Sequence, residues 1–310
     1  MATQAGRKAP RIAGAPISWG VSEVPGWGVQ LLPDRVLGEM RDLGLSATEF
    51  GPDGFLPDAP AAKAAVLARF GLTAVGSFVP VVLHRDNPEL VPAIERVLAD
   101  YAAAGAEVLV LAAVTGSDGY DSRPELTEDE WRMLLENLDR LRALAVDHGV
   151  TAVLHPHAGT VIETKADVDR VLKGSTIAFC FDTGHLMIGG TDPVAFAAEH
   201  SDRIAHAHLK DASRAGIELV RSGAKSYYDA VAAGELYRPL GQGDVDMRAI
   251  LASLDAAGYD GWFVLEQDQV LHSEPAAGDG PVEDARASAD YLRGVLDELG
   301  HSSNREETAS

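Results

Sequence analysis

Eight short apolar runs alternate with longer amphipathic stretches along this chain, and that rhythm limits the possible fold more than any other property. The runs lie at 11–17, 47–50, 72–78, 108–113, 151–155, 177–182, 204–209 and 262–266. Brief runs rich in Val, Leu, Ile and Phe suit strands covered on both faces. Between them, helical periodicity appears at 33–43, 59–70, 88–104, 128–148, 165–172, 193–200 and 247–257, with a last helix at 282–299. In the stretch 128–148, Thr127 and Glu130 form a capping box, and Trp131, Leu134, Leu135, Leu138, Leu141 and Leu144 form one apolar stripe. Gly44, Gly71, Gly105, Gly149 and Gly258 each stand just after a helix, where glycine supplies a left-handed C-cap.

Strand–helix–strand repeats imply parallel strands, and eight of them close a barrel. The competing open doubly wound sheet needs a glycine-rich phosphate turn after its first strand, which Gly14-Ala15-Pro16-Ile17-Ser18 does not supply. The prediction is an α/β fold, a (β/α)8 TIM barrel, as a single domain over 11–300 with a disordered polar tail at 301–310. One segment, 214–243, exceeds a simple connection. With Tyr227, Tyr228, Tyr237 and Pro239 it reads as a lid or binding loop.

Charge and cysteine content narrow the function. The 310 residues carry 26 Lys and Arg against 47 Asp and Glu, a net charge of −21, which argues against a nucleic-acid partner. No uncharged apolar run approaches the roughly 20 residues of a membrane span, so no membrane partner is expected. Residues 1–11 are polar and basic, without the apolar segment of a secretory signal. Cys180 is the sole cysteine, which forbids an intrachain disulfide and suits a cytoplasmic location.

In a parallel barrel, functional groups gather where strands end. Glu49 ends the second run; His155 and His157 the fifth; Asp182 and His185 the sixth; His208, Lys210 and Asp211 the seventh; Glu266 the eighth. Alternation over 204–211 puts His206, His208 and Lys210 on one face, a costly burial unless a metal, carboxylate or substrate oxygen meets them. Any one of these residues alone reads as structural; their coincidence points to an enzyme site. Carboxylates with neutral imidazoles suit manganese, cobalt, iron or zinc rather than calcium. Asp182, His208 and Glu266 offer two oxygens and a nitrogen from adjacent strands, and His155 offers a fourth ligand. No Cys-X-X-Cys or His-Glu-X-X-His is present, which excludes structural zinc and zincin readings. Cys180 reads as packing, and Gly241-Gln242-Gly243-Asp244 as a sharp turn.

Seven pieces carry a family resemblance: Ala15-Pro16-Ile17-Ser18-Trp19, Thr48-Glu49-Phe50-Gly51, His155-Pro156-His157-Ala158-Gly159-Thr160, Phe181-Asp182-Thr183-Gly184-His185-Leu186, Ala207-His208-Leu209-Lys210-Asp211, Gly241-Gln242-Gly243-Asp244-Val245-Asp246 and Gly261-Trp262-Phe263-Val264-Leu265-Glu266-Gln267-Asp268. In this order the chain resembles the xylose-isomerase-like superfamily of sugar isomerases, epimerases and dehydratases, and especially the inosose dehydratase family. The resemblance implies a divalent metal, manganese or cobalt, on Asp182, His208 and Glu266. Most superfamily members place a glutamate where this chain has His155, with Glu163 a nearby alternative.

The activity so implied is metal-dependent dehydration of a keto-inositol of the scyllo-inosose type to a cyclic dione, through an enediolate. That is the work of a carbon–oxygen lyase. Lys210, with a pKa lowered by a nearby cation, is the expected base or enolate stabiliser. His157 and His185 are expected in proton relay, and Glu49 either orients a substrate hydroxyl or closes the barrel rim with a salt bridge. Two rivals share the chemistry. A divalent-metal-dependent keto-sugar isomerase or epimerase would return the proton to carbon and favour a second glutamate. The barrel subunit of a C-glycoside deglycosidase would need a partner chain in a hetero-complex. A barrel that only binds a polyol is the non-enzyme rival. The expected partner is a small polyol or keto-sugar, and a homo-oligomer is compatible with the sequence.

Overall fold

The computed structural model describes residues 9–117 and 123–300. The tail expected at 301–310 lies outside the described residues. Nine parallel strands form one sheet: β1 (Arg11–Gly14), β2 (Ala47–Thr48), β3 (Thr73–Ala74), β4 (Gly76–Val81), β5 (Val108–Ala113), β6 (Thr151–Leu154), β7 (Ala178–Asp182), β8 (Ile204–Leu209) and, after a separate hairpin, β11 (Trp262–Leu265). Their order is β3-β2-β1-β11-β8-β7-β6-β5-β4.

The two edge strands are one length of chain interrupted at Val75. Its N–H donates to Thr48 O at 3.0 Å, and its carbonyl accepts from Glu107 and Val108 N–H at 2.9 Å. Val75 therefore joins both edges and closes an eight-stave TIM barrel. The next residue must be glycine, because a Cβ on Gly76 would lie 1.8 Å from Val108 O.

The helices are α1 (Pro33–Asp42), α2 (Pro60–Arg69), α3 (Leu90–Ala104), α4 (Glu128–Asp147), α5 (Lys165–Gly174), α6 (Thr183–Ile188), α7 (Pro193–Glu199), α8 (Arg214–Arg221), α9 (Tyr227–Ala232), α10 (Met247–Ala256) and α11 (Pro281–Glu298). In the α4 capping box Thr127 N–H donates to Glu130 Oε2 at 2.8 Å, and Glu130 N–H returns to Thr127 Oγ1. No helix among the described residues is long and apolar enough to cross a membrane.

Two expectations are corrected. The first strand ends at Gly14, because Pro16 opens a 3-10 turn over Pro16–Trp19. The 214–243 segment is no loop: it folds as α8 and α9, closed by the antiparallel pair β9 (Asp211–Ala212) and β10 (Tyr237–Arg238). Ser213 and Ser226 cap the two helices by accepting from Gly216 and Asp229 N–H. A small cluster including Trp27, Ile217, Tyr227, Val231 and Tyr237 seats this insertion beside the barrel mouth.

Strand alternation separates two packing zones. On β7, Phe179 and Phe181 face outward to Phe196 of α7, at ring-centroid distances of 5.3 and 5.8 Å. Cys180 instead joins the small residues that plug the barrel, among them Ala13, Ala47, Val75, Val110, Val153 and Val264. Each fully buried large apolar side chain of the outer zone contributes about 1.5–3 kcal/mol. The polar strand ends sit on top of this plug.

Candidate metal centre and active site

A cavity of about 500 Å³ opens at the C-terminal ends of the strands, within the size range of small-molecule sites. His155, His157, His208, Tyr227, Glu266 and Asp268 line its polar floor and wall, with Phe78 and Trp27 among the apolar lining. Asp182 ends β7, His208 stands in β8 and Glu266 follows β11. One ligand atom from each lies within 4.8 Å of the others.

The donor geometry fits a cation. His208 Nδ1 is 2.7 Å from Glu266 Oε2 and 3.8 Å from Asp182 Oδ2, yet it is buried without a hydrogen bond of acceptable direction. Its other nitrogen, Nε2, meets Glu49 Oε1 at 2.8 Å. With the proton on Nε2 donated to Glu49, the Nδ1 lone pair faces the two carboxylates, the usual outer arrangement of a metal-binding histidine. Glu49 Oε1 also meets His206 Nε2 at 3.0 Å. Glu49 is not among the residues lining the cavity, and its carboxylate supports His208 from behind.

Charges divide across the floor. Burial works against ionisation of Glu266, but His208 and Lys210 hold its carboxyl well below the ordinary range. Asp182 is likewise held low by Lys210 and His155 against the effect of burial. Burial also opposes a charge on His208, and Cys180, Glu266 and Glu49 overcome it, raising the imidazole well above its ordinary pKa.

Lys210 departs from expectation. Its ammonium is fully buried, donates to Glu266 Oε1 at 2.8 Å and Asp268 Oδ1 at 2.7 Å, and lies 3.5 Å from Asp182 Oδ2. Despite burial, these carboxylates raise its pKa well above the ordinary value. The expected lowering comes from a cation at the site; the three carboxylates by themselves act in the opposite direction.

The imidazoles on the other side are held neutral. His157 pairs its Nδ1 with Ala158 O at 2.7 Å, which places the donated proton there and leaves Nε2 as the acceptor. Burial first, then His155 and Lys210, pushes its pKa down to about 3. His185 lies against it with ring centroids 3.7 Å apart and the planes tilted by 34°. Both His185 nitrogens face donors, Ala158 N–H at 3.3 Å and Lys210 Nζ at 3.3 Å, so a further proton would find no acceptor. Burial first, then its neighbours His157 and Lys210, holds its pKa well below the ordinary value. His185 is not among the cavity-lining residues.

His155 places Nε2 3.3 Å from Asp182 Oδ2 and clusters with Asp182 and His185, separately from the Asp182–His208–Glu266 set. Glu163 turns away: its Oε2 accepts from Gly159 N–H at 2.8 Å and lies 3.5 Å from Arg123 Nε. The expectation of Glu163 as an alternative ligand is corrected. Arg123, donating to Thr160 O and Val161 O, explains it by fixing the loop that carries Glu163.

One residue, Asp268, was missed, while Tyr227 and Tyr237 belong to the segment read from sequence as a lid or binding loop. Asp268 holds Lys210 and accepts from Tyr227 Oη at 2.5 Å, and the Tyr227 and Tyr237 hydroxyls lie 2.8 Å apart. Asp268 follows Glu266 by two positions, so strand phase was a usable signal; nothing local announced that α9 delivers Tyr227 there. Asp211, by contrast, is structural. Its carboxylate accepts from Ala212, Gly241, Gly243 and Val245 N–H at 2.8–3.1 Å, which makes Gly241-Gln242-Gly243 an anchored turn.

A family model described as the xylose isomerase-like TIM barrel matches residues 37–295. An inosose dehydratase of Geobacillus kaustophilus (strain HTA426) is 34% identical over 303 residues, covering 93% of this chain and 96% of that one. The chain belongs to the inosose dehydratase family. As a member it is a carbon–oxygen lyase. The rhizopine catabolism protein MocC of Rhizobium meliloti is 35% identical over 268 residues, with 84% of this chain and 82% of that one covered. A solved structure of L-ribulose 3-epimerase superimposes with a TM-score of 0.63 at 16% identity, covering 96% of this chain and 99% of that one, a likeness of fold. This chain therefore shares its barrel fold with an epimerase.

Proposed function

We propose that this protein dehydrates a keto-inositol of the scyllo-inosose type to a cyclic dione, in the cytoplasm, with a divalent cation bound. The observation that carries the reading is the convergence of Asp182, His208 and Glu266 under a cavity whose other polar wall is a neutral imidazole. Relatives named inosose dehydratase support the substrate class. Asp182, His208 and Glu266 would hold manganese or cobalt, which supplies Lewis acidity for the substrate's carbonyl oxygen.

The chain's own residues then divide the proton work. His157 Nε2 accepts the proton from the carbon beside the carbonyl, its tautomer fixed by the bond to Ala158 O. The hydroxyl on the next carbon leaves with its bonding electrons and is protonated to water. Tyr227, whose ring centroid is 6.2 Å from that of His157, supplies this proton from the same wall. The resulting enol takes a proton at carbon and becomes the dione. Lys210 holds Glu266 and Asp268 in place, and Glu49 holds His208. His185 backs the His157 ring.

An epimerase reading would favour a second glutamate across the metal. Glu163, the glutamate nearest the fifth strand end, is engaged by Gly159 and Arg123. The test is incubation of manganese- or cobalt-loaded protein with scyllo-inosose, followed by dione absorbance and product mass. A product lighter by one water supports dehydration. No turnover of this substrate, together with clean epimerisation of a ketose, would overturn it.

A further inference from the structure

Cys180 lies two residues before Asp182 on β7, on the same inward face, which sets it about 6–7 Å deeper along the strand. Its sulfur and one nitrogen from each of His155 and His208 lie within 4.8 Å of one another, and all three residues are buried. The two rings are prepared in the same way. His155 Nε2 meets Asp182 Oδ2, and His208 Nε2 meets Glu49 Oε1. In each ring Nδ1 is buried without a well-directed hydrogen bond, His208 Nδ1 lying 2.7 Å from Glu266 Oε2 and His155 Nδ1 having no partner. A buried imidazole nitrogen left so costs free energy unless a cation or a donor reaches it. Packing of a small residue accounts for Cys180 by itself; it does not account for the unpartnered Nδ1 of His155 in the same buried group.

We propose that His155, Cys180 and His208 form a second cation position, one layer below the oxygen-rich set, selective for thiophilic divalent ions of the zinc and cadmium class. Two nitrogens and a sulfur suit such ions, while Asp182, His208 and Glu266 suit harder ones. Three protein ligands leave a fourth position for Asp182 or water in a tetrahedral shell. On binding, the thiol proton passes to solvent and the thiolate and imidazole lone pairs bond to the ion, with no change of oxidation state. Because His208 serves both positions, they are alternatives. Zinc in the lower one withdraws His208 from Asp182 and Glu266, so excess zinc inhibits the manganese-loaded protein and a chelator reverses the inhibition.

The deciding experiment needs no substrate, so its outcome is independent of the dehydration reading. One equivalent of zinc is added to the metal-stripped full chain, and X-ray absorption at the zinc edge counts the ligands. The expected shell contains one sulfur at about 2.3 Å with nitrogen at about 2.0 Å. A shell of nitrogen and oxygen alone would overturn the proposal. As a second arm, Cys180→Ala, with folding checked by circular dichroism, should weaken zinc about 100-fold more than it weakens manganese. Equal losses, or none, count against it. If the variant fails to fold, the sulfur count on the unaltered chain still decides.

Discussion

His157 and His208 occupy one cavity and one residue type, yet they are driven in opposite directions. His157 is pushed down to about 3 by burial and by its neighbours His155 and Lys210. His208 is equally buried, but Glu266, Glu49 and Cys180 lift it well above its ordinary range. Burial is common to both, so the carboxylates make the difference. One side of the floor collects negative charge around a ring able to exchange its proton for a cation. The other side keeps a ring neutral and able to accept a proton. The comparison assigns the two halves of the reaction to the two halves of the floor.

The largest effect should come from the charged side. His208→Ala is expected to abolish retention of manganese, measured by elemental analysis after gel filtration, with activity reduced by more than about 10³-fold. Full metal content in this variant would break the comparison at its centre. Lys210→Met should leave Asp268, Glu266 and Asp182 without their shared ammonium and destabilise the fold by about 3–5 kcal/mol, read from urea unfolding.

On the neutral side, His157→Ala should lower kcat by about 10²–10⁴-fold with metal content unchanged. The sign of the shift also sets a pH expectation. A ring with its pKa near 3 stays neutral above that pH, and a bound cation lowers it further, so the rate profile should show no acid limb near 6.5 from this group. Glu49→Gln gives the smallest effect, a loss of about 10- to 100-fold in metal affinity recovered by excess metal. A loss of activity that metal does not restore would instead put Glu49 in contact with substrate.

Most of the barrel was readable because its cause is local. Alternation of apolar runs and amphipathic stretches reports the strands and helices directly, and every expected strand became a stave. The first strand ran too long because apolar Ile17 was counted while Pro16, which opens a turn, was not weighed. In the insertion, Ser213 and Ser226 were signals of helix starts outvoted by glycine, proline and length.

The site was legible only as far as strand ends could be read. Asp182, His208 and Glu266 meet because the register of β7, β8 and β11 puts their ends side by side. Lys210 was legible only in part. Against burial its pKa is raised by Asp182 first, then by Asp268 and Glu266, which reach it from the end of the neighbouring strand β11. Tyr227 was legible only as part of a lid or binding segment, because its place depends on how α9 packs over the mouth, through contacts such as Trp27 with Tyr228 at 5.5 Å.

The most direct test of the account is metal-dependent turnover of scyllo-inosose by the stripped protein. Without a divalent ion we expect no dione. One equivalent of manganese per chain should restore its formation, with the product lighter than substrate by one water. Undiminished turnover by the stripped protein would contradict the central claim that Asp182, His208 and Glu266 hold the cation on which this reaction depends.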